Sequence, residues 1–284
     1  MRDCPWYDTT DIGPVLLASA EIGMMQGVMS LDTLVSIVVP AYNEAARLPD
    51  SLSEIVTYLE KQPYSWEVVV VDDGSLDETG AQADTFARAY RDPTAVRVIR
   101  NPHCGKAYAV RTGVFQARGQ HIIVCDADLS MPIEEIHKFM LVLESGYDLA
   151  LGSREGLGAH RYGEPAYRHL MGRVFNHLVR LLVVGRYKDT QCGFKGFRRS
   201  SAREIFGRLK LYSSPERVKG PMVTGFDVEV LHVAHKAGYR IKEIPIEWHY
   251  RPGSKVNPLK DTWRMVRDVA QVRLNDLRGQ YNGK

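Results

Sequence analysis

A chain of 284 residues, 44% hydrophobic and 25% charged, has the length for one large globular domain with room for an appendage. A net charge of +3 excludes a global polyanion-binding surface and argues against a nucleic-acid partner. The four cysteines, Cys4, Cys104, Cys125 and Cys192, form no CxxC pair, which excludes a zinc ribbon or a disulfide framework and points to a reducing, cytoplasmic setting.

In chain order, residues 1–33 read as a poorly specified N-terminal extension. Its most apolar part, Ile12 to Met29, is interrupted by Glu21 and has no basic leader, so it reads neither as a signal peptide nor as a span. From Leu34 the pattern becomes regular. Val35–Pro40 is an apolar strand, and Leu48–Lys61 a helix with Leu48, Leu52, Ile55, Val56 and Leu59 on one face. Trp66–Val71 is a continuous apolar strand of the kind buried on both faces of a parallel sheet. Asp77–Ala89 is a helix, Ala95–Ile99 a strand, Lys106–Ala117 a helix and His121–Cys125 a strand. Pro132–Glu144 is a helix with proline in its first turn, and Asp148–Leu151 a short strand. Strands alternating with helices predict an α/β, doubly wound, Rossmann-like and mostly parallel sheet flanked by helices, over 34–250. Residues 165–187 read as a basic amphipathic helix, either packed on the domain or lying in a lipid interface. The segment 251–284 holds eight Lys or Arg against three Asp, and Leu259–Leu277 reads as a second basic helix suited to anionic headgroups at a membrane surface.

Ligands of such sheets bind beyond the carboxyl ends of the strands. Three strands end in polar clusters there: Pro40-Ala41-Tyr42-Asn43-Glu44, Asp72-Asp73-Gly74-Ser75 and Asp126-Ala127-Asp128. A turn cap explains any one of them; three acidic ends converging on one crevice exceed what turns require. Asp126 and Asp128 stand two apart, so extended backbone points both to one side. Such a pair suits a divalent cation carrying a diphosphate, because Mg²⁺ takes few protein carboxylates and completes its shell with phosphate oxygens. No GxGxxG follows the first strand, which argues against a classical NAD enzyme.

With VSIVVPAYNEAARL (35–48), VVVVDDGS (68–75), GKAYAVRTG (105–113), VCDADLS (124–130), GSR (152–154), DTQCGFKGF (189–197), FDVE (226–229) and GSKV (253–256), the chain resembles the family 2 glycosyltransferases of GT-A fold. Within them it is similar to the dolichyl-phosphate β-glucosyltransferases, relatives of the dolichyl-phosphate mannose synthases. The resemblance implies that Pro40, Tyr42 and Glu44 line a nucleoside pocket, that Asp73 bonds uracil with Asp72 beside it, and that Lys106 meets the nucleotide. It implies that Asp126 and Asp128, with Ala127 between them at the nucleotide, hold Mg²⁺ or Mn²⁺ on UDP, where some relatives add a Gln at the position of Ser130. Arg154, Arg168, Arg251 and Lys255 match positions that bind the acceptor phosphate, Arg154 close to the chemistry. Asp227 is either a base or an orienting carboxylate.

The implied reaction is inverting, metal-dependent transfer of glucose from UDP-glucose to a dolichyl-type polyprenyl phosphate. The alternative is a soluble family 2 transferase with a mannose or GlcNAc donor and a small acceptor. Membrane anchors known in relatives are not evident here, so a lipid acceptor implies peripheral docking on the cytoplasmic membrane face.

Overall fold

A computed structural model describes residues 34–165, 172–173, 179, 187–220, 224–251 and 258–282. The expected extension 1–33, most of the expected helix 165–187, Arg168 and Lys255 lie outside the described residues.

The chain runs β1 (Leu34–Ala41), α1 (Leu48–Leu59), β2 (Ser65–Asp72), α2 (Thr79–Ala89), β3 (Val96–Arg100), α3 (Lys106–Gln116), β4 (His121–Val124), a 3₁₀ turn (Ile133–Glu135) leading into α4 (Ile136–Glu144), and β5 (Leu149–Ser153). It continues with β6 (His160–Tyr162), β7 (Lys195–Arg198), α5 (Arg199–Arg208), α6 (Phe226–Lys236), β8 (Ile241–Pro245), β9 (Glu247–His249) and α7 (Pro258–Leu277). The main sheet has the order β3-β2-β1-β4-β7-β5-β8, and β6 and β9 form a separate ribbon. β1, β2, β3 and β4 pair in parallel, whereas β7 runs antiparallel between β4 and β5.

Central strands are apolar throughout because helices cover both faces. Val35, Ile37 and Val39 of β1 pack with Leu48, Leu52 and Ile55 of α1 and with Phe139 and Met140 of α4. Val38 packs on the other face with Ala109, Val110 and Val114 of α3, in the same core as Phe206, Val228 and Val272. The alternation follows from the two-residue period of a strand. Edge strand β3 carries Arg97 and Arg100, charges that discourage a further strand from pairing. Strand order reverses between β1 and β4, whose carboxyl ends therefore diverge to leave a crevice. Among the described residues no helix is long and apolar enough to cross a membrane.

Candidate active site

The crevice is built from the strand ends that the sequence marked. Pro40, next to the last residue of β1, lies opposite Val71. Asn43 adopts φ 53° and donates its backbone N–H to Ser75 Oγ at 2.9 Å, while the Glu44 N–H reaches Thr79 Oγ1 at 2.7 Å. These bonds tie the β1 end to the β2 end. Asp72 accepts the Ser75 N–H at 3.0 Å and faces Arg100 at 3.7 Å, so it shapes the Asp-Asp-Gly-Ser turn.

Asp73 is buried and accepts three donors: the Cys104 N–H at 3.0 Å, the Gly105 N–H at 2.7 Å and His103 Nδ1 at 2.7 Å. It thereby folds the 101–106 loop onto β2. Gly105 takes φ 92°, a conformation that favours glycine, and opens α3 with Lys106 as its first residue. The His103 ring stacks on Tyr42, with centroids 3.8 Å apart and planes 2° apart. His103 was not picked out in the sequence, since only this loop geometry brings it to Tyr42.

Beyond β4 the chain turns tightly, with the Leu129 N–H on the Asp126 carbonyl at 3.1 Å. Leu129 has φ 44°, a left-handed conformation that costs a leucine about 1 kcal/mol or more. Burial of its side chain offsets that cost. The Ala127 carbonyl is held by Ser51 Oγ at 2.7 Å, and Asp128 accepts the Ser130 N–H at 3.0 Å. Lys106 Nζ lies 2.5 Å from Asp126 Oδ1. Burial pushes both aspartates up; at Asp126 the Lys106 charge and hydrogen bond, helped by Lys195 and Arg154, outweigh it and hold the carboxyl below its usual range. Asp128 stays raised, by burial and then by repulsion from Asp126. Lys106 is raised because Asp126 and Asp227 outweigh its burial.

The donor set fits a substrate-shared divalent ion. No three His, Cys, Asp or Glu side chains gather into a metal cage among the described residues. Two carboxylates on one side, one of them resisting ionisation, suit an ion whose remaining ligands are phosphate oxygens and water. Gly193 completes this wall: a β-carbon there would overlap the Asp126 carboxylate. A cavity of about 140 Å³ lies here, lined by Asp126, Asp128, Arg154, Gln191, Cys192 and Trp248 among others.

Arg154 differs from a free phosphate fork. Its Nε and Nη2 donate to the two oxygens of Asp189 at 2.7 and 3.0 Å, and its guanidinium lies 5.5 Å from the Trp248 ring centroid. Asp189 is fully buried, yet the Arg154 pair outweighs burial and holds its carboxyl down at about 2. Asp227 Oδ1 lies 2.5 Å from Lys195 Nζ, which also donates to the Cys192 carbonyl at 2.5 Å. Lys195 reaches the site because β7 pairs Lys195 with Val124, two residues before Asp126. Gln191 Nε2 is buried and has no hydrogen-bond partner among the described residues, a donor facing the cavity wall. Arg251 is exposed after β9, and the His249 ring stacks on Tyr162 at 4.7 Å. Asp189, Gln191 and Lys195 carried no assigned role in the sequence, although a lone lysine opening an apolar Lys-Gly-Phe run is a signal of a charge held inside.

A family model described as glycosyl transferase family 2 matches residues 36–206. The chain is 34% identical over 262 residues to the dolichyl-phosphate beta-glucosyltransferase of Homo sapiens, covering 87% of this chain and 76% of that protein. For the Saccharomyces cerevisiae protein of the same name, identity is 32% over 273 residues, covering 88% and 77%. Among solved structures, glucosyl-3-phosphoglycerate synthase from Mycobacterium tuberculosis in complex with Mn²⁺, UDP and glucosyl-3-phosphoglycerate superposes with a TM-score of 0.56 at 16% identity, covering 100% of this chain and 87% of that one. Mannosyl-3-phosphoglycerate synthase from Rubrobacter xylanophilus gives 0.60 at 20%, covering 95% and 79%. At such identities the likeness establishes the shared GT-A fold.

Proposed function

The chain belongs to glycosyl transferase family 2, and on that premise we propose that it transfers glucose from UDP-glucose to the phosphate of a dolichyl-type polyprenyl lipid. The observation that carries the reading is the meeting of Asp126, Asp128 and Lys106 with the Asp227–Lys195 pair around one crevice. The donor sugar and acceptor follow the relatives named dolichyl-phosphate beta-glucosyltransferase.

Asp126 and Asp128 would hold Mg²⁺ or Mn²⁺, which supplies charge neutralisation to the UDP diphosphate as it leaves. Lys106 adds a compact cation at the same oxygens. Pro40, Tyr42 and Glu44 border the nucleoside pocket, with the Tyr42–His103 stack as its aromatic element and Asp72 shaping its floor. Asp73 serves the base by holding the 103–105 loop in place. The Gln191 amide donor is directed to a sugar hydroxyl. An acceptor phosphate oxygen is already anionic at neutral pH, so the site must aim it rather than deprotonate it. Arg154, fixed by Asp189, supports that phosphate, together with Arg168, Arg251 and Lys255. Attack from the face opposite UDP converts the α-linkage to β.

The test is transfer of radiolabelled glucose from UDP-glucose to a short polyprenyl phosphate. Labelled product should partition into organic solvent, and chelation with EDTA should lower the rate by at least about a hundredfold, the equivalent of a few kcal/mol. Label transferred only to a water-soluble acceptor would overturn the reading.

A further inference from the structure

Helix α7 is apolar on two sides: Val269 and Val272 are buried in the core, and a second apolar stripe faces outward beside inward polar groups. Asp261, Asp268 and Asn275 are buried, while Trp263 is 73% exposed, Leu274 45% and Leu277 69%. The inward polar groups are satisfied: Asp268 accepts the Gly225 N–H at 2.8 Å and the Tyr212 hydroxyl at 2.9 Å, and Asn275 donates to Tyr281 Oη at 3.3 Å. A surface helix of a globular protein turns one apolar stripe to the core and keeps its outer face polar. Of the six large hydrophobic side chains exposed among the described residues, three lie on this one helix, so the outward stripe is no scatter of single residues.

At 3.6 residues per turn, Trp263, Ala270, Leu274 and Leu277 fall within about 60° of arc, over about 21 Å of length. Arg267 and Arg278 border the stripe on one side and Arg273 on the other, all exposed. The carboxylates of α7 lie elsewhere: Asp261 and Asp268 are buried, and Asp276 bonds Lys236 and Arg273. The outward face is thus apolar along its middle and positive along the Arg267–Arg278 margin, while Arg273 on the other margin is paired with Asp276.

We propose that this face of α7 docks on an anionic lipid bilayer, with Trp263, Leu274 and Leu277 entering the headgroup–acyl boundary and the arginines meeting lipid phosphates. An interfacial helix has this arrangement of apolar stripe and basic margins. Trp263 suits the boundary, since indole is apolar with one polar edge. Pairing with a second copy is disfavoured where it would bring the Arg267 and Arg278 margins together, arginine against arginine with no exposed carboxylate between them. The lipid-phosphate reading gives the docking its purpose; the observations stand apart from it. The same helix reaches the site from behind: Asp268 holds the N–H of Gly225, two residues before Asp227. Docking α7 therefore sets the height of Asp227 and Lys195 above the headgroups.

The full chain is tested by flotation with phosphatidylcholine vesicles and with mixed phosphatidylcholine–phosphatidylglycerol vesicles. It should float with the mixed vesicles and detach as salt rises. Trp263→Ser with Leu274→Ser and Leu277→Ser should lower partition at least about tenfold. Arg267→Gln with Arg278→Gln should lower it roughly 25-fold on mixed vesicles, at about fivefold per arginine. All substituted side chains are exposed, so thermal melts and transfer to a water-soluble phosphate acceptor should stay at wild-type values. Equal flotation of the serine variant and wild type, or no preference for the mixed vesicles, overturns the proposal. So does a wild-type dimer in sedimentation that the serine variant abolishes, which would make the face a self-association surface. Vesicle binding without transfer to any lipid phosphate would sink the proposed reaction and leave the docking surface standing.

Discussion

Asp227 is tied to Lys195 at 2.5 Å inside the protein, and that tie limits what its carboxylate can do in transfer. A general base must be free to take a proton from its substrate. Here one oxygen already accepts a buried ammonium, and a phosphate acceptor brings no proton to remove. Asp227→Asn keeps an oxygen for Lys195 and loses the charge. Transfer should fall about 10- to 100-fold, the scale of one charge-assisted hydrogen bond, with the pH–rate profile keeping its shape. A base would predict a deeper loss and a profile missing one limb; measuring kcat against pH separates the two. Lys195→Met should do more harm to stability than Asp227→Asn does. It strands Asp227 without its cation, at a cost of about 3–5 kcal/mol read by urea unfolding. Equal urea midpoints for Lys195→Met and wild type would remove the pair from this account.

At the level of elements, α6 and α7 meet through acids that most helix pairs lack. Glu229 of α6 is fully buried and accepts the Tyr281 hydroxyl at 2.6 Å and the Lys210 N–H at 2.7 Å. Burial pushes its carboxyl up, these bonds with that from Leu211 pull it only part of the way back, and Asp268 adds repulsion, leaving it at about 7. Below its ordinary value of 4.5 the group is protonated both folded and unfolded. Between 4.5 and about 7 only the folded chain keeps the proton. The Glu229 contribution to stability is therefore present at acid pH and is lost as pH rises through that window, by up to roughly 3 kcal/mol. Glu229→Gln cannot titrate, so the stability advantage of wild type over the variant should shrink between pH 5 and 8 in paired thermal melts. A difference that stays constant with pH would mean that Glu229 ionises normally. Elements differ in how far the sequence announces them. β1, β2 and β4 are legible because burial on both faces demands unbroken apolar runs, and α1 because its five apolar residues repeat at helical spacing. β7 is not: Lys-Gly-Phe-Arg is four residues with two cations, and it is a strand because β4 and β5 leave a gap for it. The same logic covers the site. Asp126 and Asp128 are visible as a pair, whereas Lys195 finds Asp227 at 32 residues' distance and Arg154 finds Asp189 at 35, separations with no local pattern.

The whole molecule is drawn together by its last segment. Charge and composition set 251–284 apart as an appendage, but Val269, Val272 and Tyr281 are buried in the core that holds α3, α5 and α6. At about 1.5–3 kcal/mol each, those three side chains amount to roughly 5–9 kcal/mol. A domain of ordinary stability has about 5–15 kcal/mol in all. Removing the segment would also take Asp268 from Gly225 and Tyr281 from Glu229, opening the end of α6 that carries Asp227. A chain ended at Arg251 should then lose its cooperative thermal transition and its affinity for UDP, although none of the nucleotide-side residues from Pro40 to Asp128 is removed. Scanning calorimetry and UDP titration measure both. A truncated chain that melts and binds UDP like the full one would make 251–284 a separable appendage. With the expected loss, the inner face of α7 is structural, and one helix then ties the stability of the fold to the position of its site.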